Sequence, residues 1–138
     1  MNFVSGLTKG KAAYWVSTGL LCLFYGIQVF FYLTQRPMIE EAYAWFGYPA
    51  YLIDILIVAK IAAPLAILSR LSVRLSDLAY AGVFYHLLLA ISAHLNAGDS
   101  GYAPAVLMLV LLVVSFLTPN TGRKNASPNV PNAFGLNA

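Results

Sequence analysis

Four stretches of this chain are apolar enough, and long enough, to cross a bilayer. Residues 12–33, 78–98 and 100–118 contain no Asp, Glu, Lys or Arg, and residues 50–69 contain only Asp54 and Lys60. A spanning helix needs about 20 predominantly apolar residues. With 60% hydrophobic and 9% charged side chains in 138 residues, the chain stands far from the roughly one-quarter charged content of soluble domains. Lipid offers no partner for a free N–H or C=O, so spans are helices or closed barrels, and runs without period-2 alternation select helices. The expected fold is all-α, an integral membrane four-helix bundle over residues 1–118 with spans at about 12–33, 50–69, 78–96 and 102–118. The polar tail over 119–138, rich in Asn and Pro, has little to bury and reads as disordered.

The basic residues orient such a bundle. Lys9, Lys11, Arg70, Arg74, Arg123 and Lys124 fall on one side of the four spans, Arg36 falls on the other, and Lys60 lies inside a span. The positive-inside rule then puts both termini of this multi-pass bundle in the cytoplasm. The net charge of +3 does not point to nucleic acid, because the cations sit beside membrane ends and are not interleaved with aromatics in a patch. The first apolar run is longer than the h-region of a secretory signal, so it is expected to stay as a membrane anchor. Cys22 is the lone cysteine, which excludes an intramolecular disulfide and a CxxC or Cys-rich zinc motif.

Between the first two spans, Pro37 is followed by Met38, Ile39, Ala42, Tyr43, Trp45 and Phe46 at helical spacing, with Glu40 and Glu41 on the other side. That pattern predicts a short helix lying at the outer interface. Gly47 and Pro49 punctuate the entry to span two, and Pro64 inside that span is expected to disturb the hydrogen bond to the Lys60 carbonyl. Ser76 or Asp77 is placed to cap span three.

Chemistry must be sought among the few polar groups at membrane depth, since ionisable residues there are costly and are functional candidates by default. At 1.5 Å per residue, Lys60 and His86 fall near the midplane, Gln28 and Asp54 about 8 Å toward the outer face, and His94 about 11 Å. Lys60 and Asp54 are about 120° apart around their helix and so need separate partners. Lys60 is either a lysine satisfied inside the bundle by Tyr25, a carbonyl or water, or a ligand-binding or proton-handling group. Asp54 suits capping or interfacial hydration. His86, on a stripe with Gly82, Ala90 and Ala93, is either bonded to a neighbouring group or a donor to a ligand, and His94 suits an exposed or loop-bonded role. The two histidines supply neither a haem pair nor a helical metal motif, so no metal site is expected.

The run Phe46-Gly47-Tyr48-Pro49-Ala50-Tyr51-Leu52, the segment Val58-Ala59-Lys60, Leu78-Ala79-Tyr80-Ala81-Gly82, and the ending Ala93-His94-Leu95 with Gly98-Asp99 together resemble the DoxX-like family of small bacterial membrane proteins. The resemblance covers roughly residues 13–118. It implies a four-span membrane fold and, through the family's association with quinone-linked sulfur oxidation, a redox setting. Three readings of function follow. In the first, the protein binds a small hydrophobic molecule such as a quinone, as an accessory to redox-enzyme subunits, with ligand-binding candidates Tyr25, Gln28, Asp54, Lys60, His86 and His94 in a pocket open toward the outer leaflet. It would carry no intrinsic cofactor and would not be a self-sufficient enzyme. In the second it is a non-catalytic adaptor or assembly factor whose polar residues hold the bundle together. The third, a small-molecule transporter subunit, requires a homo-oligomer, because one short bundle has no repeat to rock against another.

Overall fold

The apolar runs form helices in the computed structural model, which describes residues 2–130. In chain order these are α1 (Asn2–Thr34), α2 (Arg36–Trp45), α3 (Tyr51–Ser69), α4 (Val73–Ala97), α5 (Ala103–Leu117) and α6 (Pro119–Gly122). There is no strand among the described residues. Helices α1, α3 and α4 carry segments long and apolar enough to cross a membrane, whereas α5 has 15 residues. At 1.5 Å per residue α5 measures about 22 Å, short of the roughly 30 Å hydrocarbon core. After Thr118 the chain turns into α6 instead of prolonging the span.

Buried positions follow one stripe per helix. Tyr14, Ser17, Thr18, Leu21 and Tyr25 form it on α1; Ile53, Lys60 and Ile67 on α3; Ser76, Tyr80, Val83 and Leu87 on α4; Ala105, Met108, Leu112 and Ser115 on α5. Steps of three, four and seven residues keep each stripe on one side of its helix, the spacing of packed bundles. The long helices close a ring in which α1 packs on α3 and α5, and α4 packs on the same two. Their outer faces are equally apolar, with Leu20, Leu23, Phe30, Ile55, Val58 and Leu89 all exposed. Helices hydrophobic all round belong in lipid.

Several boundaries differ from the sequence reading. Helix α4 begins at Val73, because Ser72 is its N-cap and accepts from the Leu75 N–H at 3.3 Å; Ser76, expected to cap, is buried inside the first turns, and Asp77 bonds elsewhere. The connection from α3 is correspondingly short and is closed by Arg70 in the left-handed region (φ 46°, ψ 37°), its N–H returning to the Ala66 carbonyl at 3.2 Å. Helix α3 runs through Pro64 without interruption.

The tail also departs from expectation as far as residue 130. Pro119, Ser127 and Val130 are buried. Arg123 donates from Nε to Tyr14 Oη at 2.9 Å and from Nη2 to the Ile67 carbonyl at 3.0 Å and the Leu68 carbonyl. Asp77 accepts from Ser127 Oγ at 2.6 Å and Asn129 Nδ2 at 2.8 Å. The physical reason is that α3 ends with carbonyls that lack intrahelical donors, and a guanidinium arriving from the tail satisfies two of them. Residues 131–138 lie outside the described residues.

Candidate functional site

Ile53, Lys60 and Ile67 share the inward stripe of α3, so Lys60 enters the bundle from the middle of a span and is only 3% exposed. Its Nζ donates to Gln28 Oε1 on α1. Two tyrosine rings of α1 flank the same amine, with centroids 5.2 Å away for Tyr25 and 4.8 Å for Tyr32. Tyr25 is in turn bonded through Oη to His86 Nδ1 on α4 at 2.8 Å, the rings meeting edge to face at 5.7 Å. Three helices thus bring Tyr25, Gln28, Lys60 and His86 together. Cation–π contact and a side-chain amide are the means available to a cation in a low-dielectric interior, where bare burial would be costly.

A cavity of about 340 Å³ opens beside this cluster, between α3 and α4. Tyr25, Lys60 and His86 line it together with the small residues Ala59, Ala63 and Gly82. The absence of larger side chains there is what leaves the gap, since small residues on facing helices either allow close approach or leave space. From the level of Lys60 the cavity continues toward Leu75 and Leu78 at the start of α4, away from α2. The expectation of an opening among Gln28, Asp54 and His94 is therefore not how these residues are placed. A smaller hollow of about 170 Å³ lies on the other side of His86, walled by Tyr43, Phe46, Leu52 and His94.

Asp54 stands one position off the inward stripe and is exposed. It accepts both terminal nitrogens of Arg36, at 2.5 and 3.1 Å, while Arg36 Nε bonds Glu40 at 2.7 Å. The two carboxylates raise the Arg36 pKa above its ordinary value, the bond to Asp54 contributing most. This pairing fastens α2 to α3 and does not reach Lys60. His94 bonds Asp99 Oδ1 through Nδ1 at 2.7 Å and lies edge-on to Phe46 at 4.8 Å. Asp99 Oδ1 also accepts the Gly101 N–H at 2.7 Å, and that bond, followed by His94, holds the Asp99 carboxyl below its ordinary pKa. Gly98 takes the left-handed C-cap position (φ 74°) that makes this turn possible.

A second polar cluster had no part in the sequence reading. Ser115 Oγ on α5 bonds Thr18 Oγ1 on α1 and Tyr80 Oη on α4, each at 2.6 Å. Ser115 and Thr18 are fully buried and Tyr80 is 3% exposed. At the far end, Tyr32 Oη and Tyr43 Oη meet at 2.9 Å and tie α2 to α1. The signal for the first cluster was the stripe of Tyr14, Ser17, Thr18, Leu21 and Tyr25 on α1, which places hydroxyls on the inward face.

These features define a small, all-helical, multi-pass integral membrane protein with a polar cluster in the middle of its spans. Residues 16–117 match the DoxX-like family, and the chain belongs to it. No curated protein and no solved structure was found to match the chain.

Proposed function

We propose that the protein binds a small hydrophobic molecule bearing a carbonyl or similar acceptor, a quinone being the leading candidate, in the cavity between α3 and α4. It would act as an accessory to redox-enzyme subunits that hold the cofactors. The observation that carries this reading is the cavity of about 340 Å³ beside Lys60, Tyr25 and His86, since ligand sites start near 300 Å³ and combine apolar walls with a few polar groups. With Tyr25 Oη donating to Nδ1, the neutral His86 ring carries its proton on Nε2 and can donate it to a ligand oxygen. Lys60 keeps further N–H donors beyond the one directed at Gln28. The walls of Ala59, Ala63 and Gly82 suit an alkyl or isoprenoid tail lying along the lipid-facing crevice.

The setting we propose is a bacterial inner membrane with both termini cytoplasmic, supported by the distribution of basic residues. Helix α2 then lies at the outer interface. Its lack of buried residues and its exposed Met38 and Trp45 support that placement.

An adaptor reading is favoured by a different observation. Lys60 with Gln28, and Tyr25 with His86, satisfy one another, so the cluster can hold three helices together without any ligand. Solvent extraction of the protein purified in mild detergent separates the two. A stoichiometric lipophilic carbonyl compound, lost from Lys60→Met, supports ligand binding. Bulk lipid alone, with other subunits co-purifying, supports the adaptor.

A further inference from the structure

At the opposite end of the bundle from α2, Trp15 in the first half of α1, the end of α3 and the segment after α6 surround a hollow of about 290 Å³ lined by Trp15, Arg70, Arg123 and Lys124 among others. Arg70 is only 5% exposed. Its Nε and Nη2 both donate to the Asn125 carbonyl, at 3.0 and 2.7 Å. Nη1 is buried with no hydrogen-bond partner. A buried N–H group without an acceptor costs free energy, and a buried guanidinium without a counter-charge costs more. Neither need is met among the described residues, whose ion pairs are Arg36 with Glu40, Arg36 with Asp54, and His94 with Asp99, none of them at this end.

The neighbouring cations likewise pair with no carboxylate among the described residues. Arg123 is engaged with Tyr14 and two α3 carbonyls, and its guanidinium lies 4.8 Å from the centre of the Trp15 ring. Lys124 is exposed. Three positive charges therefore wall one hollow, and none of the lining residues is acidic.

We infer that this hollow is a binding site for a phosphate group, that of an anionic phospholipid in the leaflet at this end of the bundle. Phosphate presents several oxygens at once, which suits the single nitrogen left over on each guanidinium, together with a lysine, supplied from separate elements. Two features favour a lipid over a soluble phosphate. Trp15 is an interfacial ring left 45% exposed beside the site, and Leu71 in the adjacent turn is 90% exposed, so acyl chains would continue from the hollow over apolar surface. Basic pockets between helix ends are where anionic head groups are held. The site is separate from the cavity beside Lys60 and does not depend on what that cavity binds.

Native mass spectrometry of the full chain, delipidated in a neutral detergent, tests this with four probes: phosphatidylglycerol, phosphatidylcholine, glycerol 3-phosphate and inorganic phosphate. One phosphatidylglycerol per chain should be retained about tenfold better than phosphatidylcholine, and Arg70→Gln should remove about that factor, as expected for losing charge-assisted hydrogen bonds. Arg74→Gln removes a cation at the same end but outside the hollow and should change nothing. If glycerol 3-phosphate or inorganic phosphate binds as tightly as phosphatidylglycerol and displaces it, the phosphate site stands and its lipid source is overturned. Equal retention of both lipids with no soluble phosphate bound, or equal weakening by Arg74→Gln and Arg70→Gln, overturns the site. Should Arg70→Gln lose its helical circular dichroism, Lys124→Gln decides in its place. That exposed change should weaken phosphatidylglycerol retention several-fold, and undiminished retention overturns the inference.

Discussion

Replacing Lys60 by methionine tests whether the amine is there to hold the bundle together. A lysine at the centre of a span costs about 2.5–3.5 kcal/mol on insertion scales. Against that stand its hydrogen bond to Gln28, worth about 0.6 and at most about 1.7 kcal/mol within a membrane bundle. The two tyrosine rings at 5.2 and 4.8 Å add about 0.5–2 kcal/mol. The gains reach about 1–3.5 kcal/mol, so they at best balance the cost. Lys60→Met removes both sides of that balance and leaves the Gln28 amide without its partner, a penalty of about 1–3 kcal/mol. At the middle of these ranges the single variant should therefore lose about 1–2 kcal/mol, and Lys60→Met combined with Gln28→Leu should come within about 1 kcal/mol of the wild type or exceed it, because neither a buried charge nor an orphaned amide remains. Reversible unfolding in mixed micelles, arranged as a double-mutant cycle, measures both. A double variant less stable than the wild type by more than about 2 kcal/mol would refute the reasoning and make Lys60 a structural cross-link.

Three further outcomes follow from other parts of the bundle. Tyr80→Phe removes one 2.6 Å bond of the Thr18–Ser115–Tyr80 cluster and Ser115→Ala removes both, so the first should destabilise by about 0.6–1.7 kcal/mol and the second by about twice that, and unfolding of the double variant should show the two losses to be less than additive. Gly101→Ala places a Cβ 2.5 Å from His94 Cε1 and 2.6 Å from Nδ1; the His94–Asp99 bond should break, seen as a shift of the His94 ring resonances in NMR, and unchanged resonances would contradict it. Single cysteines at Ser72, Glu41 and Asn125 in a Cys22→Ser background should leave position 41 alone open to an impermeant reagent on intact cells, and labelling of position 72 with 41 protected would invert the proposed topology.

The sequence was most informative where lipid acts on every residue alike. The apolar runs located α1, α3, α4 and α5, and Lys60 and His86, read at one depth on separate helices, line one cavity. Which groups would meet was less legible, because it depends on rotation about each helix axis. Ile53, Lys60 and Ile67 at seven-residue steps turn Lys60 inward, and the same rotation turns Asp54 outward to Arg36. Tyr25 was read as a partner for Lys60 and does flank it with its ring, while its hydroxyl goes to His86. Arg123 lay in a segment whose composition suggested disorder, yet one guanidinium beside unsatisfied helix-end carbonyls outweighs composition.

Gly82→Leu tests the proposed ligand cavity most directly, because it fills the space without touching a polar group. Gly82 lines the cavity, and a Cβ added there meets nothing within 4 Å. Replacing a mid-helix glycine by leucine also gains about 0.5–1 kcal/mol of helix propensity. Titration of the purified full chain with a short-tailed quinone should give saturable binding to the wild type and a loss of at least about tenfold in affinity for Gly82→Leu, with unfolding stability unchanged or raised. Binding that survives in Gly82→Leu at wild-type affinity, or no saturable binding to the wild type, would contradict ligand binding between α3 and α4.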